Sequence, residues 1–176
     1  MADLLSGPRS PMAVAFAFCG WRNLSVDLKL NPEDDVSQPQ VQARLHEELQ
    51  DAALIAVAYD CSTKSRIREI PRTFSNDQPA PSPLCAEEEP LGRWDLDEVE
   101  AARVEWDNQS CDFLMDAVAL CRNRGGGTLQ ENPWRSLHWH LPRQQEMLQS
   151  GEYWDLDYHA CALQGARCKR LVLGSR

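Results

Sequence analysis

Two short apolar runs, residues 54–59 (LIAVAY) and 128–130 (TLQ), each stop abruptly at a chemically loaded tip. The first ends in Asp60-Cys61-Ser62 and the second in Glu131-Asn132-Pro133. The first run, too short for a helix and with no polar residue until Tyr59, is what a strand covered on both faces looks like, and the second reads as a short buried strand. Such strands belong to parallel sheets flanked by helices. Gly125, Gly126 and Gly127 precede the second run and end any helix before it. Open sheets of this kind hold ligands outside the carboxyl ends of their strands, so chemistry is expected at both tips. One tip offers a thiol and the other a carboxylic acid.

The remaining segments alternate in the same sense. Residues 2–5 form a strand stub leading into Ser6-Gly7-Pro8-Arg9-Ser10, and Pro11 suits the first turn of a helix over 12–19 that Gly20 closes. A second strand, 24–28, carries Asp27 about twenty residues after that turn, where mononucleotide-binding folds place a carboxylate on ribose hydroxyls. Val41, Leu45 and Leu49 fall on one helical face. A long helical pattern over 96–120 is expected to break near Asp107-Asn108, and a short helix is expected over 136–149. Segments 158–163 and 170–173 read as a closing antiparallel pair. Strands alternating with helices imply an α/β domain with a mainly parallel sheet and right-handed crossovers.

A chain of 176 residues fits one domain, with a surface loop rich in Pro, Ser and Glu over 73–90. Seven cysteines without a CxxC pair suggest a reduced, intracellular protein, nuclear or cytoplasmic, rather than a disulfide scaffold. The histidines, His138 and His140 around Trp139 and His159 before Cys161, lack paired ligand spacing, so no metal site is expected. No apolar run is long enough for a membrane span, and no membrane partner is expected. With 27 acidic and 18 basic residues the net charge is −9, which opposes broad contact with a phosphate backbone. Local basic clusters remain, at Lys64, Arg66, Arg68 and Arg72 and again at Arg167, Lys169 and Arg170.

Taken in order, SGPRS at 6–10, VDL at 26–28, DCSTKS at 60–65, ENPWRS at 131–136 and GARCK at 165–169 resemble S-adenosylmethionine-dependent methyltransferases. The similarity is to the cytosine-C5 DNA methyltransferase type, in the short form carried by mobile elements and phages. It implies a three-layer Rossmann-like methyltransferase fold, with a mainly parallel sheet ending in an antiparallel hairpin. It also implies roles for individual residues. Cys61 would add to carbon 6 of cytosine, because carbon 5 is a poor nucleophile until the ring becomes an enamine. Glu131 would donate a proton at N3 as charge builds there, and Arg167 would steady that site. Ser62, Asn132 and Lys169 would contact the substrate. S-adenosylmethionine would lie across the first strand tips, near Ser6 and Gly7, with its ribose on Asp27 and its adenine near Asp35. The substrate implied is nucleic acid, DNA rather than RNA, with its target base extruded from the stack.

The sequence departs from the family at specific places. Asp60 stands where the family has proline before the cysteine, and a carboxylate beside a thiol disfavours the thiolate. Lys64 occupies a position that is usually aromatic or apolar. Nothing after Leu173 supplies a target-recognition region, so DNA methylation is expected to need a partner or a fused recognition module. The alternative expectation is a catalytically inactive methyltransferase-like domain, decayed or repurposed, that acts as a binding or interaction module.

Overall fold

The computed structural model describes residues 1–5, 11–70, 73, 79–159 and 168–174. One sheet holds all six strands, β1 (Ala2–Leu4), β2 (Leu24–Val26), β3 (Leu54–Ala58), β4 (Gly127–Pro133), β5 (Tyr153–His159) and β6 (Cys168–Gly174). Their order is β2-β1-β3-β4-β6-β5. The pairs β1·β2, β1·β3 and β3·β4 are parallel, while β6 is antiparallel to both β4 and β5. Since β6 opposes both neighbours, β5 points the same way as β4, and only β6 is reversed. This is an α/β arrangement compatible with a Rossmann-like fold.

Four helices connect the strands, α1 (Pro11–Phe18), α2 (Pro39–Glu48), α3 (Glu98–Asn123) and α4 (Pro142–Gln149). The chain steps one way from β1 to β2 and the other way from β2 through β3 to β4. With right-handed crossovers this puts α1 on one face of the sheet and α2 and α3 on the other. The face under α2 and α3 holds the main core, where Leu4, Ile55 and Val57 meet Leu45 and Leu49 of the α2 region and Leu114 and Val118 of α3. Burying each such side chain fully is worth about 1.5–3 kcal/mol. The opposite face carries a register row of Asp3, Ala56, Leu129, Leu173 and Trp154. There the N–H of Ala13 donates to Asp3 Oδ2 at 3.2 Å and seats the start of α1 on β1.

The expected break in the long helix is absent. Asp97 caps α3 by accepting from the Glu100 N–H at 2.8 Å, and the helix then runs continuously to Asn123. Val104, Asp107, Cys111, Leu114, Val118 and Cys121 form its buried stripe, so Asp107 lies inside the stripe rather than at a break. Gly126 allows the chain to turn tightly into β4, because a Cβ there would collide with the Cys121 sulfur. The helix expected over 136–149 is divided: a 3-10 turn at Leu137–His140 comes first, and Pro142 opens α4. The closing pair is β5 and β6, with β5 beginning at Tyr153 instead of 158; residues 160–163 of that expectation lie outside the described residues. Among the described residues no helix is long and apolar enough to cross a membrane.

Candidate functional site

The chain leaves β1 toward β2 and later returns to β3 on the other side of β1. The carboxyl ends of β1 and β3 therefore flank the switch point of the sheet, the usual ligand crevice of open α/β folds. Leu5, just past β1, has a left-handed φ of 62°, an uncommon conformation for a branched side chain at the head of a turn. Ser6 and Gly7, expected at the cofactor, lie outside the described residues. Asp27 follows β2 directly and is buried, with Oδ1 accepting the Lys29 N–H at 2.8 Å. Asp35 lies between β2 and α2. Its oxygens accept from the Ser37 N–H (3.0 Å), the Ser37 hydroxyl (2.7 Å), Gln38 Nε2 (3.3 Å) and Trp106 Nε1 (3.0 Å). Burial alone would raise the Asp35 carboxyl, but these donors together hold it below the usual carboxylate value. It ties α2 to α3 and stays ionised.

The tip after β3 is held from behind by charge. Asp60 accepts the Ser62 N–H at 2.9 Å and the Ser62 hydroxyl at 3.0 Å, a turn that bends the chain at the half-buried Cys61. Ser62, expected on the substrate, thus has its hydroxyl on Asp60. Two residues on, Thr63 donates its hydroxyl to Asp107, and Lys64 Nζ donates to Asp107 Oδ2 at 2.5 Å and Asn108 Oδ1 at 2.9 Å. The Lys64 and Asp107 side chains are 0% and 1% exposed. Burial alone would lower the Lys64 ammonium, but the Asp107 carboxylate beside it helps hold it above its ordinary value. Lys64 thus carries its own buried counterion.

The tip after β4 is part of the sheet. Strand β4 runs on through Pro133, so Glu131 lies within the ladder, between Ala58 of β3 and Leu171 of β6. Cys61 is three residues beyond Ala58, and the thiol-bearing and acid-bearing ends are therefore neighbours on adjacent parallel strands. Alternation along β4 puts Gln130 and Asn132 on the face opposite Glu131. Gln130 Oε1 accepts the Tyr59 hydroxyl at 2.6 Å. Asn132 is 1% exposed, and its amide has no hydrogen-bond partner among the described residues. Lys169 is level with Pro133 on β6, and Arg167 lies outside the described residues.

The two tips are also bonded to each other. Lys64 C=O accepts the Leu137 N–H at 2.9 Å and the Ser136 hydroxyl at 3.4 Å, while Pro133 C=O accepts Trp139 Nε1 at 2.9 Å. His138 is fully buried in this junction, its ring 3.9 Å from the Tyr59 ring and its Nδ1 3.8 Å from Cys111 Sγ. Burial, reinforced by the Lys64 ammonium, lowers its pKa to about 3, so the imidazole is neutral at physiological pH. Burial likewise pushes the Cys111 thiol well above its ordinary value, so it is a packing group and not a nucleophile.

Sequence reasoning missed the buried pairing of Lys64 with Asp107 and a groove of about 840 Å³ beside the tips. Ser65, Arg66, Ile67, Glu69 and Ile70 line the groove from the segment after β3, and Pro133 at the end of β4 lines it with Trp134, Arg135, Ser136 and His140 from the segment after β4. The signal for Asp107 was an acid recurring at helical spacing within an apolar stripe, which demands a buried partner. Among the described residues no three metal-ligating side chains converge. Comparison with protein-family profiles, curated proteins and solved structures returned no match to this chain.

Proposed function

We propose that the chain is an S-adenosylmethionine-dependent methyltransferase-like protein, of the three-layer Rossmann-like build, that methylates carbon 5 of cytosine in DNA. The observation that carries this reading is the register of β3 and β4. It sets Glu131 beside the last residue of β3, three residues before Cys61, next to the switch point of the sheet. The reversed β6 between β4 and β5 agrees with the sheet the resemblance implies.

Asp27 fits the cofactor: a buried carboxylate at the end of β2 is suited to ribose hydroxyls. Asp35 fits less well, since its oxygens already take four donors. Bound S-adenosylmethionine supplies an electrophilic methyl group on sulfonium. The chain's own residues would do the rest. The Cys61 thiolate forms a bond to carbon 6 of an extruded cytosine, and Glu131 donates a proton to N3, which leaves carbon 5 electron-rich. After methylation carbon 5 would give its proton to water, the 5,6 double bond would re-form as the carbon 6 to sulfur bond breaks, N3 would return its proton to Glu131, and Cys61 would leave as thiolate.

Transfer of labelled methyl to cytosine oligonucleotides tests this, alongside calorimetry with S-adenosylmethionine and its demethylated product. Cys61→Ser is expected to abolish transfer and keep cofactor binding; persistent transfer means another nucleophile. A second reading, a binding module without catalysis, is favoured by Asp60, whose carboxylate opposes the Cys61 thiolate. Cofactor binding with no transfer to DNA or RNA would select it.

A further inference from the structure

The groove beside the tips has a composition that the proposed methyl transfer does not explain. On one wall Trp134 is 44% exposed, and the Arg135 guanidinium lies over its ring, 5.2 Å from the centroid. On the other wall Ile67 and Ile70 are 40% and 58% exposed. Large exposed apolar side chains from two chain segments that line one open groove leave surface uncovered that a flat ligand would bury.

The groove's charge is limited. Arg66 is held by Glu87 at 2.6 Å and Glu69 at 3.4 Å, and Glu87 also lies 3.5 Å from His140. Among the described residues Arg135 has no carboxylate partner, so it is the cation available to a ligand. The turn that presents Trp134 is braced: Pro133 C=O accepts both the Ser136 N–H and Trp139 Nε1 at 2.9 Å. A braced aromatic next to one uncommitted guanidinium suits a planar base followed by a phosphate.

We infer that this groove is a stacking subsite for a single strand of nucleic acid, with a base on Trp134 between the two walls and the adjoining phosphate on Arg135. The inference rests on the proposed reading only in making that strand continuous with the one that carries the reacting base. A duplex fits poorly. Its base faces are covered, so Trp134, Ile67 and Ile70 would meet only edges and backbone. Its dense charge also faces a protein of net charge −9. A single strand exposes π-faces, and stacking binds it with few phosphate contacts.

The test is fluorescence anisotropy on the full chain without cofactor, using labelled oligothymidylate, oligouridylate and a duplex of equal length. Single strands are expected to bind at least about tenfold more tightly than duplex, with a shallow salt slope of roughly −0.7 per phosphate, for one or two phosphates. Trp134→Ala is expected to lose about tenfold in single-strand affinity and Trp134→Phe to retain most of it. Arg135→Gln should flatten the salt slope. Thymidylate and uridylate arms that agree mark the base face as the ligand, and arms that differ add a contact to the thymine methyl or the ribose 2′-hydroxyl in the same subsite. Trp134→Ala binding like the parent, duplex binding as well as single strand, or polyglutamate of equal charge competing as well as oligothymidylate overturns the inference. Binding is read without cofactor and transfer in a separate assay with S-adenosylmethionine, so single-strand binding together with no transfer in that second assay upholds the groove and removes the enzyme reading, whereas transfer indifferent to Trp134→Ala does the reverse.

Discussion

The end of β3 and the end of β4 lie side by side, yet they are held in place by opposite means. The β4 end is a strand to its last residue, paired with β3 as far as Glu131 and with β6 through Pro133. The β3 end leaves the sheet after Ala58 and relies on side chains, with Thr63 and Lys64 anchored on Asp107 of α3. A ladder needs only backbone, and so tolerates varied side chains. A buried ion pair needs two particular residues in register. The acid-bearing tip is therefore the robust one, and the thiol-bearing tip leans on one buried ion pair and the hydrogen bonds around it.

The largest expected effect comes from breaking that contact. Lys64→Met leaves the Asp107 carboxylate buried without its cation, and chemical denaturation is expected to show a loss of about 3–5 kcal/mol. The double variant Lys64→Met with Asp107→Leu should recover most of it, since an apolar pair of similar volume can replace a buried ion pair. If the single variant is as stable as the parent, the β3 end does not depend on this pair.

Acid should reach the same junction through His138. Its folded pKa of about 3 lies below the ordinary 6.5, so the folded state binds fewer protons between those values. Its contribution to stability is complete above about pH 6.5 and is lost as pH falls toward 3. Unfolding free energy measured across that window should decline by a few kcal/mol, and His138→Gln should flatten the decline. A parent slope unchanged by His138→Gln would assign acid sensitivity elsewhere.

A smaller effect is expected in front of the junction. Asp60→Asn keeps an oxygen acceptor for Ser62 and removes the charge beside Cys61, so alkylation of Cys61 by iodoacetamide should quicken by about threefold at neutral pH. Peptide mapping separates Cys61 from the exposed Cys19 and the buried Cys85, Cys111 and Cys121. Smallest of all, Glu131→Gln should change stability by less than about 1 kcal/mol, because the β4 ladder holds the position whatever the side chain. Under the proposed function it should still depress methyl transfer by roughly a hundredfold.

The contrast between the tips also explains what could be read in the sequence. Runs 54–59 and 128–130 announced their strands because a buried parallel strand is a local pattern, and the reversed closing pair was visible in outline. Asp107 was read as a helix break because its partner Lys64 lies 43 residues earlier, and only the fold joins them. The first strand of the closing pair was set too late, since Asp155 and Asp157 interrupt the hydrophobicity of Tyr153, Leu156 and Tyr158. Cys61 and Glu131 were found from residue type and position at strand ends, and their adjacency follows from strand order. The Trp134 groove was invisible, because it forms only where two loops from different strands meet.

The central claim, that Cys61 and Glu131 act together on a cytosine ring, is tested most directly by trapping. An oligonucleotide carrying 5-fluorocytosine lets the thiolate add and the methyl group transfer, but fluorine cannot leave as the proton does, so the adduct persists. Incubated with the protein and S-adenosylmethionine, it is expected to give a covalent complex whose mass spectrum maps to Cys61 and which fails to form with Cys61→Ser. A complex at another cysteine, or none under conditions where the cofactor binds, would contradict the account.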